Sequence, residues 1–276
     1  MSSAAVVDRI RIGVLLRACH PAPAAAVTGL TAAMAVAAGR GLLGTLLTTG
    51  AVAAGQLSIG WSNDLVDRRR DAAAGRGDKP LAAGELTAGR LACATRWAVV
   101  CCVLLSAACG VAAATVHLVA VGAGWAYNLR LKASVWSWLP YAVAFALLPA
   151  FVTLALPGRP WPAPQVLGAG ALLGIAAHFA NVLPDLAADR AAGVRGLPQR
   201  LGRRASAATA VLAAGAAALL LAPGWPVLAV TAPPALTTLF APPRSRAPFL
   251  AVIAAAALAL AVLLLGGGLR GGGLRG

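Results

Sequence analysis

Nine apolar stretches, separated by short loops in which Pro, Gly and Arg concentrate, constrain this chain more than any other feature. They run over roughly residues 22–39, 41–62, 92–109, 111–129, 138–156, 165–184, 205–222, 225–241 and 248–265. Each is close to the ~20 residues that a helix needs to cross the hydrocarbon core of a bilayer. Backbone amides in hydrocarbon must be satisfied within their own segment, so runs of this length read as helices. Pairs such as Pro157-Gly158, Pro223-Gly224 and Pro242-Pro243 mark the breaks. With 60% hydrophobic and only 11% charged residues, a soluble domain is excluded. The expectation is an all-α integral membrane protein of about nine transmembrane helices in a single bundle over residues 1–265. The Gly-rich segment 266–276 reads as a flexible tail.

The net charge of +15 invites a nucleic-acid reading, but the bases lie in short loops between spans and form no continuous stripe. With nine spans and a cytoplasmic N-terminus, every base except Arg40, Arg159, Arg270 and Arg275 falls on the cytoplasmic side. Residues 1–19, with Arg9, Arg11 and Arg17 among apolar residues, read as an interfacial helix leading into the first span. Trp61, Trp125, Trp136 and Trp138 fall near cytoplasmic span ends, where belt tryptophans are expected. The five cysteines show no metal-ligand spacing and read as small core residues. The dominance of Arg over Lys suggests a GC-rich bacterial genome, hence a bacterial plasma membrane.

The acids are the informative minority. Of eight in the chain, five are Asp64, Asp67, Asp71, Asp185 and Asp189. On a helix the first three share an arc of roughly 60°. Carboxylates stacked on one face repel unless a cation sits among them, and a hard divalent ion such as Mg²⁺ takes such oxygen ligands together with a phosphate. Asp67, Asp71, Gly75 and Pro80 repeat the spacing of Asp185, Asp189, Gly193 and Pro198, and both sets follow a long apolar segment. This internal repeat is expected to present two carboxylate clusters to one site on the cytoplasmic face.

Asn63-Asp64-x-x-Asp67-x-x-x-Asp71, followed by Lys79-Pro80-Leu81-x-x-Gly84, resembles the first aspartate-rich motif of the UbiA superfamily of intramembrane prenyltransferases. Asp185-x-x-x-Asp189-Arg190-Ala191-Ala192-Gly193, with Leu197-Pro198-x-Arg200-Leu201-Gly202, is similar to that superfamily's second motif. Tyr127-x-x-x-x-Lys132 also resembles a family pattern. The resemblance implies Mg²⁺-dependent transfer of a prenyl group from an allylic prenyl diphosphate to an acceptor, an aromatic ring or a lipid, within the membrane, with loss of pyrophosphate. It places metal ligation on Asn63 and the five aspartates. Lys79 and Lys132, then Arg76 and Arg195, are the bases expected to contact the diphosphate. These two are the only lysines, and a compact ammonium suits a crowded phosphate site better than a planar guanidinium.

Other candidates surround these motifs. Asn181 near the second motif and Asn63 near the first are placed to ligate metal or to orient a carboxylate, and Asn181 is also a candidate for the acceptor or cation pocket. His178 is seven residues before Asp185 and reads either as an acceptor or proton contact or as a core histidine bonded to a neighbouring helix. Gln56 and Ser58 precede the first motif and are candidates for the acceptor pocket. Tyr127 is placed to steady a cation with its ring face or to anchor at the interface. Two other functions share the pattern: a membrane terpene cyclase that acts on the same diphosphate without an acceptor, and a non-catalytic transporter or scaffold for a lipid diphosphate.

Overall fold

Apolar length decides the elements here. A computed structural model describes residues 13–221, 236–242 and 245–265. Its long helices are α1 (Pro21–Ala37), α2 (Gly41–Ala73), α3 (Ala88–Ala108), α4 (Val111–Leu129), α5 (Leu139–Leu154) and α6 (Pro164–Val182). Two short helices follow, α7 (Leu186–Ala191) and α8 (Leu197–Leu201), then α9 (Arg203–Leu221) and α10 (Ala247–Leu265). No strand occurs among the described residues. On length and composition α2, α3, α6 and α9 suffice to cross a membrane, while α1, α5 and the apolar part of α10 are shorter. Most of the stretch expected at 225–241, the tail 266–276, and Arg9 and Arg11 lie outside the described residues.

Local chemistry sets the ends. Pro stands in the first turn of α1, α5 and α6, where its missing N–H is an orphan in any case. Thr87 caps α3 by accepting from the Arg90 amide at 3.4 Å. Two boundaries depart from the apolar pattern. The span expected to end near residue 62 continues as one helix to Ala73, about 50 Å in all, so the first acidic motif rides on the end of a helix longer than the bilayer core. The span expected at 165–184 stops at Val182, because Pro184 has no N–H to give and its ring crowds the preceding turn.

Helices adjacent in sequence pack side by side from α1 through α6, then α9 and α10, and α10 returns against α1 to close the bundle. A very close approach joins α5 and α6. A Cβ added at Gly174 would come 2.3 Å from the Tyr141 carbonyl oxygen, and one at Gly170 2.5 Å from that of Phe145. This pair, four residues apart, is the small-residue contact that lets backbones touch where hydrophobicity gives no driving force. It brings Tyr141 of α5 against His178 of α6, with ring centroids 5.0 Å apart. Buried Ala207, Ala210, Ala214 and Ala217 on α9 give a similarly narrow seam against α6.

Candidate active site

Asp64, Asp67 and Asp71 lie on the inward face of α2 and are only 2%, 4% and 6% exposed. Carboxylates so buried need partners, and the partners are the two lysines. Lys79 Nζ lies 3.1 Å from Asp64 Oδ1 and donates to Asp71 Oδ2 at 2.9 Å. Lys132 donates to Asp67 Oδ1, and Arg70 Nη2 sits 2.7 Å from Asp67 Oδ2. Burial alone would lower the Lys79 pKa, but Asp64 and Asp71 outweigh it and hold the ammonium above the ordinary lysine value. For Lys132 burial prevails over Asp67, and its pKa falls below that value.

An amide ladder fixes this cluster to the neighbouring helix. Asn63 accepts from Lys79 at 3.5 Å and donates to Asn128 Oδ1 at 3.3 Å. Asn128 of α4 donates to the Ile59 carbonyl and to Ser62 Oγ, both at 2.8 Å. Asn128 adjoins Tyr127 in sequence, yet the sequence reading passes over it.

The repeat has a structural meaning that spacing did not reveal. Gly75 N–H bonds the Ala72 carbonyl and Arg76 N–H that of Asp71, at 3.2 and 3.0 Å. In the second copy Gly193 N–H bonds the Arg190 carbonyl and Val194 N–H that of Asp189, at 3.1 and 2.9 Å. Both are Schellman caps with glycine in the left-handed region, at φ 64° and 78°. In each copy the last aspartate is three residues inside the cap, and the chain turns back over it. That reversal is what returns Lys79 to Asp71. Gly193→Ala puts a Cβ into left-handed backbone, and a loss of roughly 1–2 kcal/mol is expected, read as a lower unfolding temperature with the α7 turn loosened.

The two copies otherwise diverge. Asp185 is exposed and lies 3.8 Å from Arg76 Nη1, which makes the direct contact between the motifs. Arg76 is held by a fork of bonds to Asp78, at 2.9 and 3.0 Å. Asp189 accepts from Gln199 Nε2 at 2.9 Å. Burial raises the Asp189 carboxyl, and Gln199 only partly offsets it. Gln199, 5% exposed, is a second residue the sequence reading does not name. Arg195 contributes its carbonyl to Arg200 at 2.9 Å.

A third is His20. The stretch at 13–18 is helical and docks on α2 one turn before Asp64. Trp61 donates to the Leu15 carbonyl at 2.9 Å, so it is a packing residue and not the belt tryptophan expected. A Cβ on Gly60 would stand 2.3 Å from the Cys19 carbonyl oxygen, so only glycine permits this approach. His20 then turns the chain into α1 with φ 56°, and its Nε2 comes 3.5 Å from Asp64 Oδ1. Non-glycine residues in that region tend to cluster at functional sites.

Below the charged mouth lies a cavity of about 600 Å³, walled by α1, α2, α4, α5, α6 and α10. Of the residues expected near substrate, Gln56, Asn63, Tyr127 and Asn181 line it. Ser58 and His178 do not. Ser58 is fully buried, donates to the Gly55 carbonyl and accepts from Trp125. His178 stands behind Tyr127 and Tyr141, with its Nε2 3.1 Å from Ser137 Oγ. It is thus a core histidine bonded to a neighbouring segment.

The donor set suits a hard cation. It is made of carboxylate and amide oxygens, and Asp64 Oδ1 is buried without a hydrogen bond of good geometry despite its nearness to Lys79 and His20. Among the described residues no three acid, His or Cys groups converge on one point by themselves. The lysines stand between them.

Membrane-crossing helices, a carboxylate mouth neutralised by lysines and an apolar cavity beneath it define an intramembrane helical bundle with a charged entrance. The profile of the UbiA prenyltransferase family matches residues 24–265. The chain belongs to that family, and it is an integral membrane protein. A UbiA homologue from Archaeoglobus fulgidus bound to GPP and Mg²⁺ superposes with a TM-score of 0.66 at 20% identity, covering 91% of this chain and 99% of that one. The apo UbiA homologue from Aeropyrum pernix K1 gives 0.67 at 17% identity, over 87% and 97%. A digeranylgeranylglyceryl phosphate synthase gives 0.62 at 14% identity, over 94% and 98%. No curated protein matches the chain by sequence.

Proposed function

We propose that this chain transfers a prenyl group from an allylic prenyl diphosphate to an acceptor held in the membrane, and that the reaction depends on Mg²⁺. The observation that carries the reading is the meeting of both aspartate motifs, through Arg76 and Asp185, beside an apolar cavity large enough for an isoprenoid chain. The A. fulgidus homologue with GPP and Mg²⁺ supports the same ligands here. Asn63, Asp64, Asp67 and Asp71 on one side and Asp185 and Asp189 on the other would hold the metal. When bound, Mg²⁺ supplies positive charge that stabilises the departing pyrophosphate.

The rest is done by side chains. Lys79 and Lys132, released from the carboxylates, contact the phosphate oxygens, with Arg76 and Arg195 outside them. The bond from C1 of the prenyl chain to its bridging oxygen breaks, and both electrons leave on pyrophosphate. The acceptor supplies the electron pair for the new bond and gives up one proton. Tyr127 presents its ring to the cation left on the chain, and the apolar wall keeps water from it. By the distribution of bases, the mouth faces the cytoplasm, and the dominance of Arg over Lys points to a bacterial plasma membrane.

The test is an extraction assay on purified protein with labelled prenyl diphosphates of several lengths, Mg²⁺ and a panel of acceptors. A prenylated product that requires acceptor and disappears with EDTA is the expected result. A cyclic hydrocarbon or alcohol formed without acceptor replaces transfer with cyclisation, and no pyrophosphate release under any condition defeats both.

A further inference from the structure

The wall of the cavity says what kind of acceptor it takes. On α2 the residues facing it are Gln56, Ile59, Gly60 and Asn63, the i, i+3, i+4, i+7 stripe of one helical face. Asn63 is engaged by Asn128 and Lys79. Gln56, two turns and about 10 Å further from the mouth, lines the cavity and has no hydrogen-bond partner among the described residues. A primary amide on the cavity wall with no protein partner is free to donate to and accept from whatever fills the cavity.

Of the other polar groups of the wall, Asn128, Asn181, Tyr127 and Tyr141 are uncharged, and His20, at the mouth, is turned to Asp64, with its Nε2 3.5 Å from Oδ1. Among the described residues no Lys or Arg lines the cavity. The nearest ammonium groups, Lys79 and Lys132, are committed to Asp64, Asp71 and Asp67, or to the diphosphate when it binds. A carboxylate or phosphate on the acceptor would therefore be buried without a counter-charge.

We infer that the acceptor is an uncharged molecule carrying a hydroxyl group, and that Gln56 is the residue that anchors this hydroxyl. The inference rests on the prenyl-transfer reading above and adds the acceptor's chemical class to it. A carboxamide both donates and accepts, so one Gln56 satisfies both hydrogen-bonding capacities of a hydroxyl. Its depth places the anchored hydroxyl away from the carboxylate mouth, so that the attacking atom lies between Gln56 and the diphosphate. A site built this way discriminates strongly against analogues that cannot complete its hydrogen bonds.

The experiment uses the full chain in nanodiscs with Mg²⁺ and the thiolodiphosphate analogue of GPP, which binds but ionises slowly. Binding is measured for two matched pairs, methyl 4-hydroxybenzoate against 4-hydroxybenzoate and dioleoylglycerol against dioleoyl phosphatidate. The neutral member of at least one pair should bind tenfold or more tighter than its acid. Gln56→Leu should remove about tenfold of that affinity and leave thiolodiphosphate binding within twofold, which also shows that the variant is folded. Gln56→Arg, which gives the wall a cation, should narrow the preference against the acid. An acid that binds as tightly as its neutral partner, no binding by either neutral compound, or unchanged affinity in Gln56→Leu each overturns the inference while leaving prenyl transfer standing. Failure of the thiolodiphosphate itself to bind overturns the prenyl-transfer reading and this inference with it.

Discussion

Asp64→Asn should reduce prenyl transfer by about 10³-fold, the scale on which removing one preorganised electrostatic contact slows an enzyme. Asp64 is 2% exposed and its Oδ1 lacks a well-formed hydrogen bond, so it is the carboxylate of α2 with an oxygen in reserve. The asparagine keeps shape and volume, removes the charge and turns one acceptor oxygen into a donor. Lys79 retains Asp71, at 2.9 Å, so the loop that covers the cluster stays anchored. The loss should therefore fall on turnover and Mg²⁺ dependence, with unfolding temperature little changed. Glu85→Gln is the control, since Glu85 pairs with Arg17 on the exposed surface, where an ion pair contributes little. Turnover in Asp64→Asn within threefold of the parent chain would remove this carboxylate from the site.

How much of this could be read beforehand follows from what each feature depends on. The all-helical, apolar character and the two acidic motifs were legible because they are local: runs of apolar residues and fixed spacings. The lysines were legible as special because the chain has only two, and both sit among the carboxylates of the first motif. What the spacing could not show is that Asp-x-x-x-Gly is also the geometry of a helix cap, so that the glycine is part of the device that folds Lys79 back. The divergence of the two copies was hidden for a similar reason. Pro184 breaks the second helix just before its first aspartate, whereas α2 runs unbroken through the first motif. His20, Asn128 and Gln199 were invisible because each is placed by a contact between distant segments. His20 depends on the missing side chain of Gly60 forty residues on, and no periodicity records that. Ser58 and His178 do not line the cavity: one meets Trp125 and the other Ser137.

Lys79→Met tests whether the lysine stands in the cation's place. Without metal, the substitution leaves Asp64 and Asp71 buried with no ammonium between them, and breaking a buried pair in this way costs about 3–5 kcal/mol. The variant in EDTA should unfold well below the parent chain. Added Mg²⁺ meets the same two carboxylates, so it should raise the unfolding temperature of the variant by more than that of the parent, where the cation must first displace Lys79. Prenyl transfer should remain about 10²-fold low even with Mg²⁺, because the base that contacts the diphosphate is gone. The pH dependence has a definite sign. The Lys79 pKa is raised in the folded protein despite burial, through Asp64 and Asp71. Its contribution is complete below the ordinary lysine value and is lost only as pH rises through the higher folded one. The stability gap between parent and variant in EDTA should thus be flat from neutrality up to the ordinary lysine value and shrink above it. Equal stability in EDTA, or an equal gain from Mg²⁺ in both proteins, means that Lys79 does not occupy the position a cation would take.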